Sequence, residues 1–291
     1  MSGLPPTEGR QAESSGLDLL ETQELVDLLV RDQAQAAAAV RTQTSTLARA
    51  VEGIVTRLRA GGRLHYIGSG TSGRLAVLDA SEMPPTFGTP PDLVCAHIAG
   101  GDSALRTAIE GAEDDARAGE AAMNGHVAPG DAVVGISASG GARYVVAALE
   151  HARTIGALTV AITSSDASAL VAAAELAIVL PTGAEALSGS TRLKAGTAQK
   201  ITLNTLSTAI MVRLGKVHDN LMVDVVATND KLRGRAERLV RELTGAGDAR
   251  VRAALDAAEG SVKVAVVMIA RDMDAAQART LLQSESLRSL L

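Results

Sequence analysis

Short apolar runs alternate with Ala-rich amphipathic stretches through the middle of the chain. The apolar runs, which contain β-branched residues, cover residues 64–67, 93–98, 131–136, 158–163 and 176–180. Stretches with the spacing of helices lie between them, at residues 72–81, 104–123, 143–154 and 168–174. Continuous apolar strands that alternate with helices are typical of a parallel sheet covered on both faces. The pattern predicts an α/β fold with a doubly wound, parallel, five-stranded sheet.

Helical patterns flank this domain on both sides. Residues 21–59 predict two helices, because leucines recur at helical spacing and an Ala-rich stretch follows them. A long helix is predicted over residues 191–214, and residues 248–291 predict two or three short helices. We therefore divide the chain into an N-terminal tail with helices (1–50), an α/β domain including the long helix (51–232) and a small helical C-terminal domain (233–291).

Composition narrows the classes of partner. The 291 residues include one Phe, two Tyr and no Trp, and the net charge is −5. Base stacking and phosphate-backbone binding are therefore disfavoured, and we expect no nucleic-acid partner. No apolar run approaches the roughly 20 residues of a membrane helix, and the polar N-terminus lacks a signal-peptide pattern. With Cys95 as the single cysteine, we expect a cytoplasmic protein that has no membrane partner.

Two predicted strands end in turns rich in glycine and hydroxyl groups. The first turn is GSGTSG (residues 68–73), and the second turn is SASGG (residues 137–141). In open α/β sheets, ligands bind beyond the carboxyl ends of the strands, where glycines admit an anion to the N–H groups of the following helix. Two such turns suit a terminal phosphate. The predicted phosphate ligands are Ser69, Thr71, Ser72, Ser137, Ser139 and Gly140.

The first turn also matches the dinucleotide-binding pattern G-x-G-x-x-G. Such a site further needs an acidic residue about 20 positions on, at the end of the second strand. Here the second predicted strand leads to Asp102, and 102 − 73 places it 29 residues after Gly73. This spacing and the three turn hydroxyls favour a monophosphate, with two ordinary Gly/Ser turns as the alternative.

Three other segments carry charged side chains. DASEMPPTF (79–87) places Glu82 where a predicted helix meets a double proline, and EGAEDD (110–115) contains Glu110 and Glu113. SGSTRLK (188–194) opens the predicted long helix and ends at Lys194. Taken alone, each segment also has a plain structural explanation, because carboxylates suit the first turn of a helix and hydroxyls serve as N-caps.

The five histidines show no metal-ligand spacing. His65 is predicted as a strand residue. Cys95 is predicted as a small core residue, since it lies in an apolar run.

Five segments together resemble the N-acetylmuramic acid 6-phosphate etherase family. They are residues 68–88 (GSGTSGRLAVLDASEMPPTFG), 99–115 (AGGDSALRTAIEGAEDD), 133–140 (VVGISASG), 188–200 (SGSTRLKAGTAQK) and 214–232 (LGKVHDNLMVDVVATNDKL). The resemblance implies a sugar isomerase (SIS) domain and a homodimer with sites near the subunit interface. It also implies a lyase that converts N-acetylmuramic acid 6-phosphate into N-acetylglucosamine 6-phosphate and D-lactate, with no metal or organic cofactor.

The resemblance also implies roles for individual residues. The family's proton donor falls on Glu82 and its second catalytic carboxylate on Glu113, for which we infer the role of base, with Glu110 as its rival. Lys194 is a weaker candidate for binding phosphate or the lactyl carboxylate. Residues 141–143 differ from the family pattern beside the second turn. The alternatives are an aldose–ketose isomerase acting on a sugar phosphate and a non-catalytic sugar-phosphate sensor.

Overall fold

The computed structural model describes residues 5–224 and 230–291. The start of the predicted tail (1–4) and part of the last family-like segment (225–229) lie outside the described residues. The chain divides into two compact units, Met1–Ala80 with Asp92–Ile210 and Ser81–Pro91 with Met211–Leu291. The domain limits at residues 50 and 232 stay a prediction.

A five-stranded parallel sheet forms the centre of the first unit, as the sequence predicts. Its strands are β1 (Leu64–Gly68), β2 (Val94–Ile98), β3 (Ala132–Ile136), β4 (Leu158–Thr163) and β5 (Leu176–Val179). Their order is β2-β1-β3-β4-β5, and all four pairings are parallel. Every residue of the three central strands is buried, whereas the edge strands β2 and β5 are partly exposed. This burial explains why the central strands have uninterrupted apolar sequences.

Eight α-helices begin among the described residues of the first unit. They are α1 (Thr22–Gln33), α2 (Gln35–Arg41), α3 (Thr44–Arg59), α4 (Gly70–Phe87), α5 (Ala116–Met123), α6 (Arg143–Ile155), α7 (Ala169–Ala173) and α8 (Lys194–Arg213). The prediction of two helices before β1 was wrong, because the chain breaks again near Thr42. There the Thr42 hydroxyl donates to the Ala39 carbonyl, and Gln43 leaves the helical conformation with φ −109° and ψ 12°.

The structure corrects three other predicted helices. Residues 104–123 form two 3₁₀ turns (Asp102–Leu105 and Ala112–Asp114) before α5, because Gly111 adopts φ +72° and interrupts any helix. Helix α4 continues through Pro84 and Pro85 instead of ending before them. The two prolines lie within four residues of the end of α4 and remove two hydrogen-bond donors from its last turn. The long helix begins at Lys194, three residues later than predicted.

The second unit is mainly helical. A short hairpin pairs β6 (Val217–His218) with β7 (Leu221–Met222). The helices are α9 (Asp230–Thr244), α10 (Asp248–Ala257), α11 (Val262–Arg271), α12 (Ala275–Ser284) and α13 (Leu287–Leu290). Four helices therefore follow residue 247, where two or three were predicted, and the last is a single turn. Together with α9 they contribute to a core of buried Val, Leu and Ala side chains.

No helix in the described part of the chain is both long and apolar enough to cross a membrane.

Candidate active site

Glycines allow the first turn to connect β1 directly to α4. Gly70 begins the helix with φ +51°. A Cβ atom on Gly73 would lie 2.6 Å from Ile98 Cγ1 and 2.8 Å from the Gly68 carbonyl oxygen, so no larger residue fits this approach of helix to strand. Ser69 and Thr71 are half-buried at this end of the sheet, beside the start of α4. Ser72 is buried, and its hydroxyl donates to Gln199 Oε1 at 2.9 Å.

The second turn is held by hydrogen bonds of its own. The N–H groups of Gly140 and Gly141 donate to the Ser137 and Ser139 hydroxyl oxygens, each at 3.2 Å. The Ala138 carbonyl oxygen accepts from the N–H of Ser164 at 2.9 Å. Gly140 has φ +69°, and a Cβ atom there would lie 2.2 Å from Ser168 Oγ. The backbone at Gly140 is therefore one that only glycine adopts without strain.

Sheet register brings the two turns together. Gly68 is paired with Ile136 on the neighbouring parallel strand. Ser69 and Ser137 come next along their strands, so both turns leave the same edge of the sheet side by side. This is the arrangement on which the predicted phosphate site depends.

A carboxylate lies next to the first turn. The Ser69 hydroxyl is 3.4 Å from Glu113 Oε2, and both residues line a cleft of about 130 Å³ together with Glu110 and Arg74. Glu110 and Glu113 are both exposed. The structure thus places both rival carboxylates beside the same turn.

Arg74 is a member of this cleft that our reading of the sequence missed. It lies one turn into α4, and its Nε–H donates to the Leu105 carbonyl oxygen at 3.2 Å. That bond connects α4 to the loop between β2 and α5, which carries Glu110 and Glu113. The available signal was a cation directly after the glycine-rich turn, in the sequence GSGTSGR.

Glu82 belongs to the second compact unit, in the C-terminal part of α4. Its side chain is exposed. Its catalytic role stays a prediction.

Asp79, a buried carboxylate in α4, was also missed by sequence reasoning. It accepts hydrogen bonds from the Tyr66 hydroxyl at 3.1 Å, the Ser207 hydroxyl at 3.1 Å and the Asn204 amide at 3.2 Å. Burial raises its pKa above the ordinary range, although the Tyr66 and Ser207 hydrogen bonds and the charge of Lys200 oppose the shift. Burial, together with the neighbouring Asp79, raises the pKa of Tyr66 well above its usual value. This network connects α4 to β1 and α8.

Lys194 lies in a buried ion pair. Its Nζ is 2.6 Å from Asp32 Oδ1, and both side chains are only 2% exposed. The backbone N–H groups of Lys194 and Ala195 donate to the Glu185 carboxylate at 3.0 and 2.8 Å. Burial raises the pKa of Glu185 despite these two hydrogen bonds. The Lys194 ammonium is therefore paired with Asp32, and Lys194 is not among the residues that line the cleft at Ser69 and Glu113.

Two family models match the α/β part of the chain. The "Glucokinase regulatory protein N-terminal SIS domain" model covers residues 46–153, and the "SIS domain" model covers residues 115–209. Among solved structures, a phosphoheptose isomerase from Francisella tularensis matches with a TM-score of 0.55 and 19% identity, covering 66% of this chain and 100% of that one. An Escherichia coli CFT073 protein in complex with A5P matches with a TM-score of 0.50 and 20% identity, over 69% of this chain and 97% of the other. At these identities the structures show a shared fold.

Curated relatives match nearly the whole chain. An N-acetylmuramic acid 6-phosphate etherase of Symbiobacterium thermophilum is 54% identical over 90% of this chain and 88% of its own length. Another of Streptomyces coelicolor is 48% identical over 95% of this chain and 89% of its own. The resemblance seen in the five sequence segments is confirmed. With its parallel five-stranded sheet and its two neighbouring hydroxyl-rich turns, the chain belongs to the N-acetylmuramic acid 6-phosphate etherase family of SIS-domain proteins.

Proposed function

We propose that this protein is a carbon–oxygen lyase that cleaves the D-lactyl ether of N-acetylmuramic acid 6-phosphate. The products are N-acetylglucosamine 6-phosphate and D-lactate. Family membership supports the activity. The observation that carries the site is the contact between Ser69 and Glu113, which joins a phosphate-type turn to a carboxylate.

The sugar phosphate is proposed to bind by its phosphate between the two turns. Ser69, Thr71, Ser137 and Ser139 offer hydroxyl groups there, and the first turn leads directly into the N-terminus of α4. The positive end of the helix dipole and unpaired N–H groups favour a dianion at this position. Ser72 and Gly140 support the site by packing, since the Ser72 hydroxyl is bonded to Gln199 and Gly140 shapes the second turn.

Two carboxylates are proposed to carry out the chemistry on the open-chain aldehyde. Glu113, acting as base, removes the proton from the carbon beside the aldehyde. The electron pair left behind is first held as an enolate. It then forms a carbon–carbon double bond as the ether C–O bond breaks, and Glu82 protonates the departing lactate oxygen. Water then adds across the double bond of the unsaturated aldehyde and gives N-acetylglucosamine 6-phosphate. General acid and base groups each typically contribute 10²–10⁴-fold to a rate.

We also propose a homodimer with sites near the subunit interface. The family resemblance suggests it, and three exposed apolar side chains on or beside α1 support it: Leu19, Val26 and Val30. A cytoplasmic location is proposed as well, supported by the free thiol of Cys95.

The decisive experiment measures D-lactate release with a coupled D-lactate dehydrogenase assay. N-acetylmuramic acid 6-phosphate should yield lactate and N-acetylglucosamine 6-phosphate in equal amounts, and the unphosphorylated sugar should be turned over far more slowly. Folded protein that releases no lactate would overturn the proposal. Interconversion of an aldose and a ketose phosphate without lactate release would point instead to an isomerase. Binding of sugar phosphate without any turnover would point to a sensor.

A further inference from the structure

The first unit contains a second and larger cavity. Its volume is about 600 Å³, and it lies between the N-terminal segment, helix α1, the loop after β5 and the start of α8. The residues that the structure shows lining it are all different from those lining the cleft at Ser69 and Glu113. The volume is in the range of sites that hold sugar-sized ligands, whereas lactate would leave it mostly empty.

Buried acceptors without partners lie in the wall of this cavity. Asp32 Oδ1 accepts hydrogen bonds from Lys194 Nζ at 2.6 Å and from Gln11 Nε2 at 3.2 Å. Asp32 Oδ2 and Gln11 Oε1 are both buried and have no hydrogen-bond partner among the described residues. An unpaired buried acceptor destabilises the protein, so both oxygens favour a ligand that brings hydrogen-bond donors.

Cations lie at the exposed side of the same cavity. Arg10 and Arg31 both line it, and both side chains are exposed. Within residues 5–224 and 230–291, Arg10 has no hydrogen bond or ion pair, and Arg31 donates only through Nε to the Asp27 carbonyl oxygen at 3.4 Å. Planar guanidinium groups bind carboxylates and phosphates through paired N–H donors.

The start of α8 is not available to an anion in this cavity. Glu185 already accepts hydrogen bonds from the N–H groups of Lys194 and Ala195. Asp32 pairs with the Lys194 ammonium. The binding of a negative group therefore falls to the two arginines, while the unpaired oxygens remain for hydroxyl donors.

We propose that this cavity is a second binding site, whose ligand is an anionic sugar. Arg10 and Arg31 hold its phosphate or carboxylate group, and Asp32 Oδ2 and Gln11 Oε1 accept hydrogen bonds from its hydroxyl groups. This site is distinct from the proposed lyase site and does not depend on turnover.

Isothermal titration calorimetry on the full chain tests the proposal with two probes, N-acetylglucosamine 6-phosphate and glucuronate. Wild-type protein should bind the sugar phosphate at two sites per chain. The double variant Arg10→Gln/Arg31→Gln should lose one of them, with at least tenfold weaker binding. Its matched control, Arg41→Gln/Arg49→Gln, removes the same charge at two exposed positions outside the cavity and should bind like wild type.

The variant Ser69→Ala/Ser139→Ala separates this site from the lyase site. It should lose the other binding event and keep the one that depends on Arg10 and Arg31. Glucuronate should bind the cavity if a carboxylate suffices, and only the sugar phosphate should bind if the arginines require a phosphate.

The proposal is overturned if neither probe binds the cavity or if the arginine variant titrates like its control. Loss of all binding in the serine variant would also overturn it. Cavity binding in a protein that releases no lactate would contradict only the proposed lyase activity.

Discussion

The hydroxyl group of Ser69 lies 3.4 Å from Oε2 of Glu113, although the two residues are 44 positions apart in the chain. The contact joins the turn after β1 to the loop between β2 and α5. That loop carries a second carboxylate, Glu110, in the same cleft. The structure thus limits the choice of base to two neighbouring residues, and experiment has to distinguish them.

Glu113→Gln should lower kcat by at least about 100-fold, because the amide cannot accept the proton beside the aldehyde. Glu110→Gln, a matched change in the same cleft, should alter kcat by less than about tenfold, since Glu110 is assigned no proton transfer. Initial rates of D-lactate release measure both effects. A large loss in Glu110→Gln with activity kept in Glu113→Gln would transfer the role of base to Glu110.

Glu82→Gln should abolish lactate release, with a loss of about 10²–10⁴-fold, because the departing lactate oxygen loses its proton donor. The base is intact in this variant, so the proton beside the aldehyde should still exchange with deuterium from D₂O, as followed by NMR. Affinity for N-acetylglucosamine 6-phosphate should stay within a few-fold of wild type. Retention of most of the activity would remove Glu82 from the acid role.

Lys194→Met should lower the free energy of unfolding by about 3–5 kcal/mol, because it leaves the buried Asp32 carboxylate without its counter-charge. The double variant Asp32→Leu/Lys194→Met should lose less than the sum of the two single variants, since it removes both charges. Urea titrations of the four proteins give the coupling energy. If the losses in the two single variants add up to the loss in the double variant, the two side chains do not interact energetically. If Lys194→Met is as stable as wild type, the ion pair does not hold Lys194, and its ammonium group is available to a ligand.

Gly140→Ala should destabilise the second turn, because its φ of +69° and the 2.2 Å approach to Ser168 Oγ exclude a Cβ atom. We expect a fall in the free energy of unfolding of more than about 1 kcal/mol and weaker sugar-phosphate binding. Gly141→Ala is the matched control, since its Cβ atom would meet nothing closer than Ser139 Oγ at 3.7 Å. Equal melting temperatures for the two variants would contradict the strain argument.

A histidine pair should make the protein less stable in acid. His65 Nδ1 lies 3.1 Å from His97 Nε2, and His126 packs near His97. Burial lowers the pKa of His97 to about 4, with the charges of His65, His126 and Arg63 acting in the same direction. Burial also lowers the pKa of His65, although Asp131 opposes the shift.

In the unfolded chain His97 therefore becomes protonated below about pH 6.5, whereas in the folded protein it stays neutral until about pH 4. Stability should be independent of this pair above pH 6.5 and should fall as the pH drops through that window. His97→Gln should reduce the loss of melting temperature between pH 7 and pH 4.5, whereas His151→Gln, on α6 outside the cluster, should not. The same slope in wild type and His97→Gln would refute the assignment.

The strands of the sheet were predicted within one residue at each end, whereas several helices were not. Residues 158–163 match β4 fully, since a buried parallel strand is marked by its own apolar residues. The predicted helix over residues 104–123 was wrong because Gly111 takes a positive φ that interrupts it. The spacing of apolar residues does not reveal the φ angle of a single glycine, and the high helix propensity of Ala favours a helix prediction wherever Ala is frequent.

The sequence by itself determined the class of fold, the two hydroxyl-rich turns and the family. All three depend on short contiguous segments, whose apolar pattern and glycine positions specify local conformation. Only the tertiary structure decided that Glu113 contacts Ser69, that Arg74 lines the same cleft and that Lys194 is paired with Asp32. Lys194 and Asp32 are 162 positions apart in the chain, and Arg74 and Glu113 are 39 apart (113 − 74). Strand order and helix packing bring such distant residues together. Burial makes the pairing of Lys194 with Asp32 necessary, because losing either partner would leave an uncompensated charge out of water.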